Sequence, residues 1–168
     1  CKRLADIKIP KNINEIKNSA FRHCEAIKSI TIPGTVLKVG HGAFKKCYNL
    51  SSVIVDDGVL SIGGCAFSDC RSLASIYLPK SITFFGNSVD DGHSMWFKDK
   101  VTTFDNCESL KNIIIPIGSR SKFEELLPNY KDKLVECNNN RWTVRATRDF
   151  SPDEIAAVKR AEVVASQY

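Results

Sequence analysis

Short segments in which apolar and polar residues alternate recur along the chain as far as residue 116. Residues 27–32 (IKSITI) and 110–115 (LKNIII) are two of them, and both are rich in Ile. Alternation with period two is typical of a β-strand that buries one face. Proline or Asp56 follows each segment, and we expect the strand to end there because proline cannot donate a backbone hydrogen bond.

The segments belong to a repeated unit, L-x-x-I-x-I-P-x-x-I-x-x-I-G-x-x-A-F-x-x-C. Units begin at Leu4, Ile27, Leu50, Leu73 and Leu110, so three steps are 23 residues long and the last is 37. Self-similarity at such a period is the sequence signature of a solenoid, in which each unit stacks on the next. The additional residues of the last step predict an insertion, residues 87–100, within the fourth unit.

This pattern predicts an α/β fold, a right-handed solenoid with a parallel β-sheet. The first strand of each unit should lie about 4.8 Å from that of the next unit. A second apolar pair follows the strand, and A-F-x-x-C then suggests a short helical turn on the far side. Because Cys1 is in phase with Cys24, the chain begins inside a unit, and we expect further units upstream.

The regular pattern changes after Pro116. Apolar residues recur at helical spacing from Phe123 to Leu134, with a break expected at Pro128. We therefore predict a solenoid over residues 1–136 that ends in a helical cap, residues 119–136. Residues 137–168 form a tail with a predicted strand (141–147) and helix (155–165), either docked on the solenoid or opening a further domain.

Residues 32–50 (IPGTVLKVGHGAFKKCYNL) resemble the BspA-like leucine-rich repeat, whose pattern is I-P-x-x-V-x-x-I-G-x-x-A-F-x-x-C-x-x-L. The resemblance extends from residue 1 to about residue 116, with Asp56, Thr103 and the insertion as departures. It implies an exported or cell-surface binding protein, in known cases an adhesin for host matrix proteins or other cells. We therefore expect a secreted or surface location.

The seven cysteines fall into two groups. Cys1, Cys24, Cys47, Cys70 and Cys107 share one phase of the repeat. A stacked column of buried, reduced thiols explains all five, whereas a disulfide between neighbouring units or a metal site is less favoured. Cys65 and Cys137 are out of phase, and we expect solvent to reach them more easily.

The sequence shows no arrangement typical of an enzyme. His23 precedes Cys24, but adjacent residues in a turn generally point in different directions, and nothing brings His41 or His93 to a nucleophile. We predict no catalytic residue, no metal and no cofactor. No apolar run approaches the roughly 18 residues of a membrane-spanning helix.

Composition is that of a globular protein, with 43% hydrophobic and 26% charged residues, but the charge is uneven. Residues 1–49 carry ten Lys or Arg against three acidic residues, whereas residues 50–168 carry fourteen against sixteen. The basic half could attract a polyanionic glycan such as a glycosaminoglycan, without specificity for a nucleic acid. The alternative is an ordinary solvated surface.

The outward positions of the strands are the most informative for binding. The fifth strand position of successive units is occupied by Lys8, Thr31, Ile54, Tyr77 and Ile114. Large apolar residues at outward positions suggest a contact surface for a protein partner. Trp96 and Phe97 of the insertion are further candidates for this surface, although cover by the insertion or the tail would equally explain the apolar side chains.

Overall fold

The computed structural model describes residues 3, 5, 7–86 and 101–138, and they form two parallel β-sheets joined by turns. In chain order the elements are β1 (Glu15–Ile16), β2 (Ser29–Ile32), β3 (Lys38–Val39), β4 (Ser52–Val55), β5 (Ser61–Ile62), β6 (Ser75–Tyr77), β7 (Phe84–Phe85), β8 (Asn112–Pro116), helix α1 (Arg120–Leu126), a 3₁₀ helix (Pro128–Lys133) and β9 (Leu134–Cys137).

The larger sheet has the order β2-β4-β6-β8-β9 and contains the strands predicted for the units that begin at Ile27, Leu50, Leu73 and Leu110. Residues 7–9 of the first unit were also predicted to lie in a strand, and this was wrong, because they form none. Ser52 pairs with Ser29 on one side and with Ser75 on the other, each 23 residues away. Ser75 pairs with Asn112 across the longer step, so the insertion leaves the strand register intact. The predicted α/β solenoid with stacked parallel strands is the observed architecture.

The smaller sheet, β1-β3-β5-β7, consists of two-residue strands formed by the second apolar pair of each repeat. The residue after each pair continues the ladder, as when the Gly63 N–H donates to the Val39 carbonyl at 2.8 Å. A side chain at Gly63 would bring its Cβ within 2.7 Å of the His41 nitrogen, so glycine permits the close stacking of neighbouring repeats. The sequence prediction did not include this second sheet.

The segment before each in-phase cysteine is a series of tight turns, not the predicted helical turn. The N–H groups of Ala20, Arg22 and Cys24 donate to carbonyls three residues earlier, at 3.1–3.2 Å. Ser19 and His23 have φ angles of 58° and 61°, and left-handed residues interrupt a right-handed helix. Turns of neighbouring repeats are joined by backbone hydrogen bonds such as Phe21 N–H to the Ala43 carbonyl, at 2.7 Å.

A single hydrophobic core lies between the two sheets and the turns. Phe21, Phe44, Phe67 and Phe104 stack in one column, with ring centroids 5.1, 5.3 and 6.1 Å apart. Inward residues of both sheets, including Ile76 and Ile62, are completely buried around this column. Repetition of one phase thus places equivalent side chains on top of one another.

At the C-terminal end, helix α1 and the 3₁₀ helix follow the last complete repeat. Phe123 and Leu127 are fully buried, and the Tyr130 ring lies edge-on to Phe104 with centroids 5.6 Å apart. The chain breaks at Pro128 as the sequence predicts. Strand β9 was not predicted, and its parallel pairing with β8 extends the larger sheet by one strand.

Several sequence predictions concern residues outside the described ranges. They are the insertion 87–100 with Trp96 and Phe97, the tail from residue 139 onward, and the place of Cys1 in the cysteine column. These stay predictions.

Candidate protein-interaction surfaces

The outward column predicted from the alternating segments is continuous in the larger sheet. Strand pairing places Thr31 beside Ile54, Ile54 beside Tyr77, and Tyr77 beside Ile114. Strand β9 adds Val135 next to Ile114. Lys8 precedes the strands and is exposed. We call Ile54, Tyr77 and Ile114 the stripe.

The stripe is not open to solvent. Relative exposures are 3% for Ile54, 5% for Tyr77 and 1% for Ile114, and with Val135 and Cys137 they form a hydrophobic cluster separate from the main core. Ser52 and Ser75, on the same face, are buried as well. An accessible contact surface was expected from sequence, but only Lys8 and the half-buried Thr31 are within reach of a partner in this conformation.

Burial also determines the chemistry of this face. Burial raises the pKa of the Tyr77 hydroxyl, and the carboxylates of Asp57 and Asp56 raise it further. Burial raises the pKa of Asp56 itself, although Lys11 acts in the opposite direction. Removal from water therefore disfavours the charged forms of both Tyr77 and Asp56.

The region around the smaller sheet has the opposite property: Phe84 lies in β7, and Leu37 and Leu60 immediately precede β3 and β5. Leu37, Leu60 and Phe84 are 48%, 45% and 50% exposed. They lie on neighbouring repeats, because the Leu60 N–H donates to the Leu37 carbonyl at 2.9 Å and Phe84 pairs with Ser61. We call these three residues the exposed apolar patch.

A cavity of about 320 Å³ adjoins this patch and is lined by Asn18, Lys38, His41, Ser61, Gly63 and Phe84. The Asn18 side chain accepts a hydrogen bond from the His41 backbone N–H at 2.9 Å, which fixes one wall. An apolar ring, a cation and several polar groups thus surround one opening. This combination is common in small recognition sites.

Sequence reasoning missed the exposed apolar patch, although a signal was present. In V-L-K-V (36–39) and V-L-S-I (59–62) an additional Leu interrupts the apolar pair, and I-T-F-F (82–85) has an additional Phe. Val36, Val59 and Ile82 are fully buried, so the core needs no further apolar side chain from these segments. The additional apolar residue of each segment has no place in the core and is therefore expected to be exposed.

The in-phase cysteines form hydrogen bonds between the turns of neighbouring repeats. The thiols of Cys47, Cys70 and Cys107 donate to the carbonyls of Phe21, Phe44 and Phe67 at 3.2, 3.2 and 3.0 Å. Each bond joins one repeat to the preceding one. Cys24, Cys47, Cys70 and Cys107 are free thiols, and burial raises the pKa of Cys107 to about 12.

The two cysteines outside the column differ from each other. Cys65 is partly exposed, as expected, and its thiol lies 3.6 Å from the Thr102 hydroxyl. Cys137 was expected to be accessible, but this was wrong: the side chain is 0% exposed because it belongs to the cluster around the stripe.

The structure does not bring together a nucleophile and a base at His23. The His23 ring lies edge-on to Tyr48, with centroids 6.3 Å apart, while Cys24 is fully buried. Within residues 7–86 and 101–138, no group of three or more His, Cys, Asp or Glu side chains could hold a metal ion. Neither α1 nor the 3₁₀ helix of this part of the chain has the length and apolar character of a membrane span.

Basic residues of the N-terminal half lie mainly at turns. Arg22 is exposed and Lys45 is half-buried at equivalent positions of neighbouring repeats. The equivalent position of the last repeat carries Asp105, so the turns change from basic to acidic along the solenoid. The Lys17 Nζ donates a hydrogen bond to Glu15 Oε2 at 2.5 Å, and this hydrogen bond lowers the pKa of Glu15.

Comparison with known proteins identifies relatives of the repeat. A family model for the BspA type leucine rich repeat region matches residues 1–93 in 6 copies. Among solved structures, a leucine-rich repeat protein from Bacteroides ovatus ATCC 8483 is 22% identical, with a TM-score of 0.51 over 72% of this chain and 26% of that chain. This similarity supports the solenoid fold.

Two further solved structures are more distant in shape. A leucine rich cell surface protein from Faecalibacterium prausnitzii A2-165 is 26% identical, with a TM-score of 0.49 over 73% of this chain and 35% of that one. The pneumococcal vaccine antigen PcpA is 18% identical, with a TM-score of 0.49 and coverages of 82% and 31%. The chain thus spans only about a quarter to a third of these proteins. A search of curated proteins found no match.

Proposed function

The chain belongs to the BspA-type leucine-rich repeat family, and we propose that it is a non-catalytic protein-binding module of a secreted or cell-surface protein. Its partner would be a host matrix protein or a protein of another cell surface. Family membership and the stacked-sheet scaffold support this proposal, because such scaffolds present rows of side chains on fixed backbone.

The observation that carries the proposal is the exposed apolar patch. Leu37, Leu60 and Phe84 each keep about half of their surface in water, in or directly beside the strands of the smaller sheet. Contiguous apolar groups beside a polar-lined cavity are typical of interaction sites. We propose that Phe84 and Leu60 contact the partner directly and that Lys38 contributes charge at the edge.

The patch covers only three repeats, so one copy offers less than the roughly 800 Å² per side of a standard interface. We therefore expect weak binding by a single module. Repetition of similar surfaces along a longer array would raise the overall affinity through multivalency.

The stripe remains a second proposed contact surface. Ile54, Tyr77 and Ile114 could bind a partner only after their cover moves, while Lys8 and Thr31 are already accessible. Trp96 and Phe97 keep their proposed role at this surface.

Binding can be measured by surface plasmon resonance with fibronectin, fibrinogen and laminin immobilised separately. We expect the combined Leu60→Ser and Phe84→Ser variant to lose about tenfold or more in affinity, because both changes remove apolar contact area from the centre of the site. Ile117→Ser is the matched control, since Ile117 is 51% exposed but follows β8, outside the patch.

Equal loss of affinity in the patch variant and in Ile117→Ser would contradict the assignment to the patch. Failure of the unaltered chain to bind any of the three proteins would remove matrix adhesion. Polyanion binding is the alternative function, and competition by heparin with unchanged affinity of the patch variant would favour it. The change from basic turns at Arg22 and Lys45 to an acidic turn at Asp105 makes this alternative weaker, because the basic surface does not continue along the solenoid.

A further inference from the structure

The first residues of β3, β5 and β7 form a row in which one short side chain stands between two long ones. Strand pairing places Lys38 beside Ser61 and Ser61 beside Phe84. Neighbouring strands lie about 4.8 Å apart, so the backbone positions of Lys38 and Phe84 are roughly 10 Å apart. Because Ser61 is short, a trough opens above it, and the trough forms part of the cavity of about 320 Å³ beside the exposed apolar patch.

The size of this cavity suits a small molecule. Its volume lies at the lower end of the range for ligand pockets, roughly 300–1,000 Å³. Such a space accepts a single small ring with its substituents. The cavity can therefore have a ligand of its own, separate from a protein that covers the exposed apolar patch.

The polar part of the lining offers several hydrogen-bond donors. Asn18 Oδ1 accepts a hydrogen bond from the His41 backbone N–H at 2.9 Å, so the side-chain NH₂ of Asn18 is the group that can donate to a ligand. The Ser61 hydroxyl can donate or accept, and the Lys38 ammonium provides three further donors. A ligand with several oxygen acceptors would satisfy these groups.

The charge of the lining is positive. Lys38 carries the permanent charge, and none of the six described residues that line the cavity is acidic. Glu15 pairs with Lys38 in the neighbouring strand, but its carboxylate accepts a hydrogen bond from Lys17 at 2.5 Å. The lining therefore favours a ligand with a negative group, because a charge-assisted hydrogen bond to an ammonium is stronger than a neutral one.

The aromatic wall restricts the ligand further. Phe84 lines the cavity and is 50% exposed. The face of a phenyl ring carries partial negative charge and attracts polarised C–H groups. A sugar ring presents such C–H groups on one face and hydroxyl groups around its edge, whereas a simple inorganic anion has neither.

We propose that this cavity binds an acidic monosaccharide residue, with its ring on Phe84 and its carboxylate on Lys38. Asn18 and Ser61 bind the hydroxyl groups. A uronic acid and a sialic acid share this chemistry. The site recognises one residue by shape as well as charge, unlike attraction of a polyanion to the basic turns. It does not depend on the proposed protein partner, although Phe84 takes part in both.

The test is a titration of the isotopically labelled 168-residue chain, followed by two-dimensional amide NMR, with glucuronate and N-acetylneuraminate as separate probes. We expect saturable shifts of the His41 and Gly63 amides. The dissociation constant of at least one acid should be about tenfold lower than that of glucose. Lys38→Met should remove this preference because it keeps the length of the side chain but not its charge. Lys28→Met is the matched control, since Lys28 is exposed just before β2 of the larger sheet.

Two further variants separate the cavity from the exposed apolar patch. Phe84→Leu should weaken the binding of glucose and of the acids alike, because all of them have a sugar ring. Leu37→Ser should leave the affinity for the acids unchanged, since Leu37 belongs to the patch but does not line the cavity.

The proposal is wrong if neither acid produces saturable shifts, if glucose binds as tightly as the acids, or if the shifted amides lie away from the cavity. Equal weakening by Lys28→Met and Lys38→Met would also overturn it, because it would indicate general attraction to a basic protein. Absence of sugar binding in a chain that still binds a matrix protein would refute this site and leave the proposed function intact.

Discussion

The two sheets of this solenoid present apolar residues outward, yet their outer faces differ in exposure by an order of magnitude. On the larger sheet Ile114 is 1% exposed, and on the smaller sheet Phe84 is 50% exposed. Both lie in strands that pair in parallel with their neighbours, and both have inward neighbours in the same core, Ile113 and Phe85. The difference therefore does not arise from the strands themselves.

The contrast shows that an apolar residue at an outward position can have one of two roles. On the larger sheet such residues form a second packed layer, which contributes to the stability of the fold. On the smaller sheet they remain in contact with water, where they contribute little to stability and are available to a partner. Substitutions at equivalent positions of the two faces should therefore have different effects.

The largest expected difference is between Ile114→Ala and Leu60→Ala. Removing a fully buried Ile side chain costs about 2–5 kcal/mol of unfolding free energy, because the cavity cannot collapse completely. Exposed substitutions usually remain within about 0.5 kcal/mol. Urea unfolding followed by circular dichroism measures both variants under the same conditions.

Ile113→Ala provides the reference for this pair, because Ile113 is on the same strand but faces the main core and is 0% exposed. We expect Ile114→Ala to resemble Ile113→Ala. If it behaves like Leu60→Ala instead, the outer face of the larger sheet is open in solution and the contrast between the two faces disappears.

The sequence predicted the parts of this molecule that depend on the repeat phase. The common phase of Phe44 and Phe67 predicted the stacking of repeats, and helical spacing around Phe123 predicted helix α1 with a break at Pro128. A two-residue strand such as Ser61–Ile62 is too short to show a period, so the smaller sheet was not predicted.

Two other features were hidden for physical reasons. Lys46 and Cys65 adopt positive φ although neither is a residue type that favours it, so the turns resembled a helix in sequence. Tyr77 is buried although it occupies an outward position of the alternation, and no local pattern records this burial. The alternation predicts which side chains point away from the core, but it does not predict whether those side chains are exposed to solvent.

A second matched pair introduces a charge on each face. Ser75 is 5% exposed on the larger sheet, so Ser75→Asp should lose about 2–3 kcal/mol because a carboxylate would be buried without a cation. Ser61 lies beside Lys38 on the smaller sheet, so Ser61→Asp should change stability by less than about 1 kcal/mol, with a favourable cross-strand contact. Thermal unfolding at neutral pH measures the pair, and equal losses at both positions would show that the faces do not differ in solvation.

The smallest effect concerns the dependence of stability on pH. Burial, with Asp57, Asp56 and Cys137 nearby, raises the pKa of Tyr77 in the folded protein. The folded state therefore retains a proton that the unfolded state releases near pH 10, and the contribution is present below that pH and lost as pH rises above it. Tyr77→Phe should reduce the alkaline loss of stability by up to about 1.4 kcal/mol per pH unit, measured by urea unfolding from about pH 8 to about pH 11.

The converse substitution, Phe84→Tyr, places a phenol on the exposed face. Because Phe84 is 50% exposed, the new hydroxyl should ionise almost equally in the folded and unfolded states and leave the pH dependence unchanged. Tyr130, whose pKa burial also raises, remains in both variants and accounts for part of the loss that persists. If Phe84→Tyr steepens the alkaline loss as much as Tyr77→Phe relieves it, the smaller sheet is also covered in solution and the exposed apolar patch is not available to a partner.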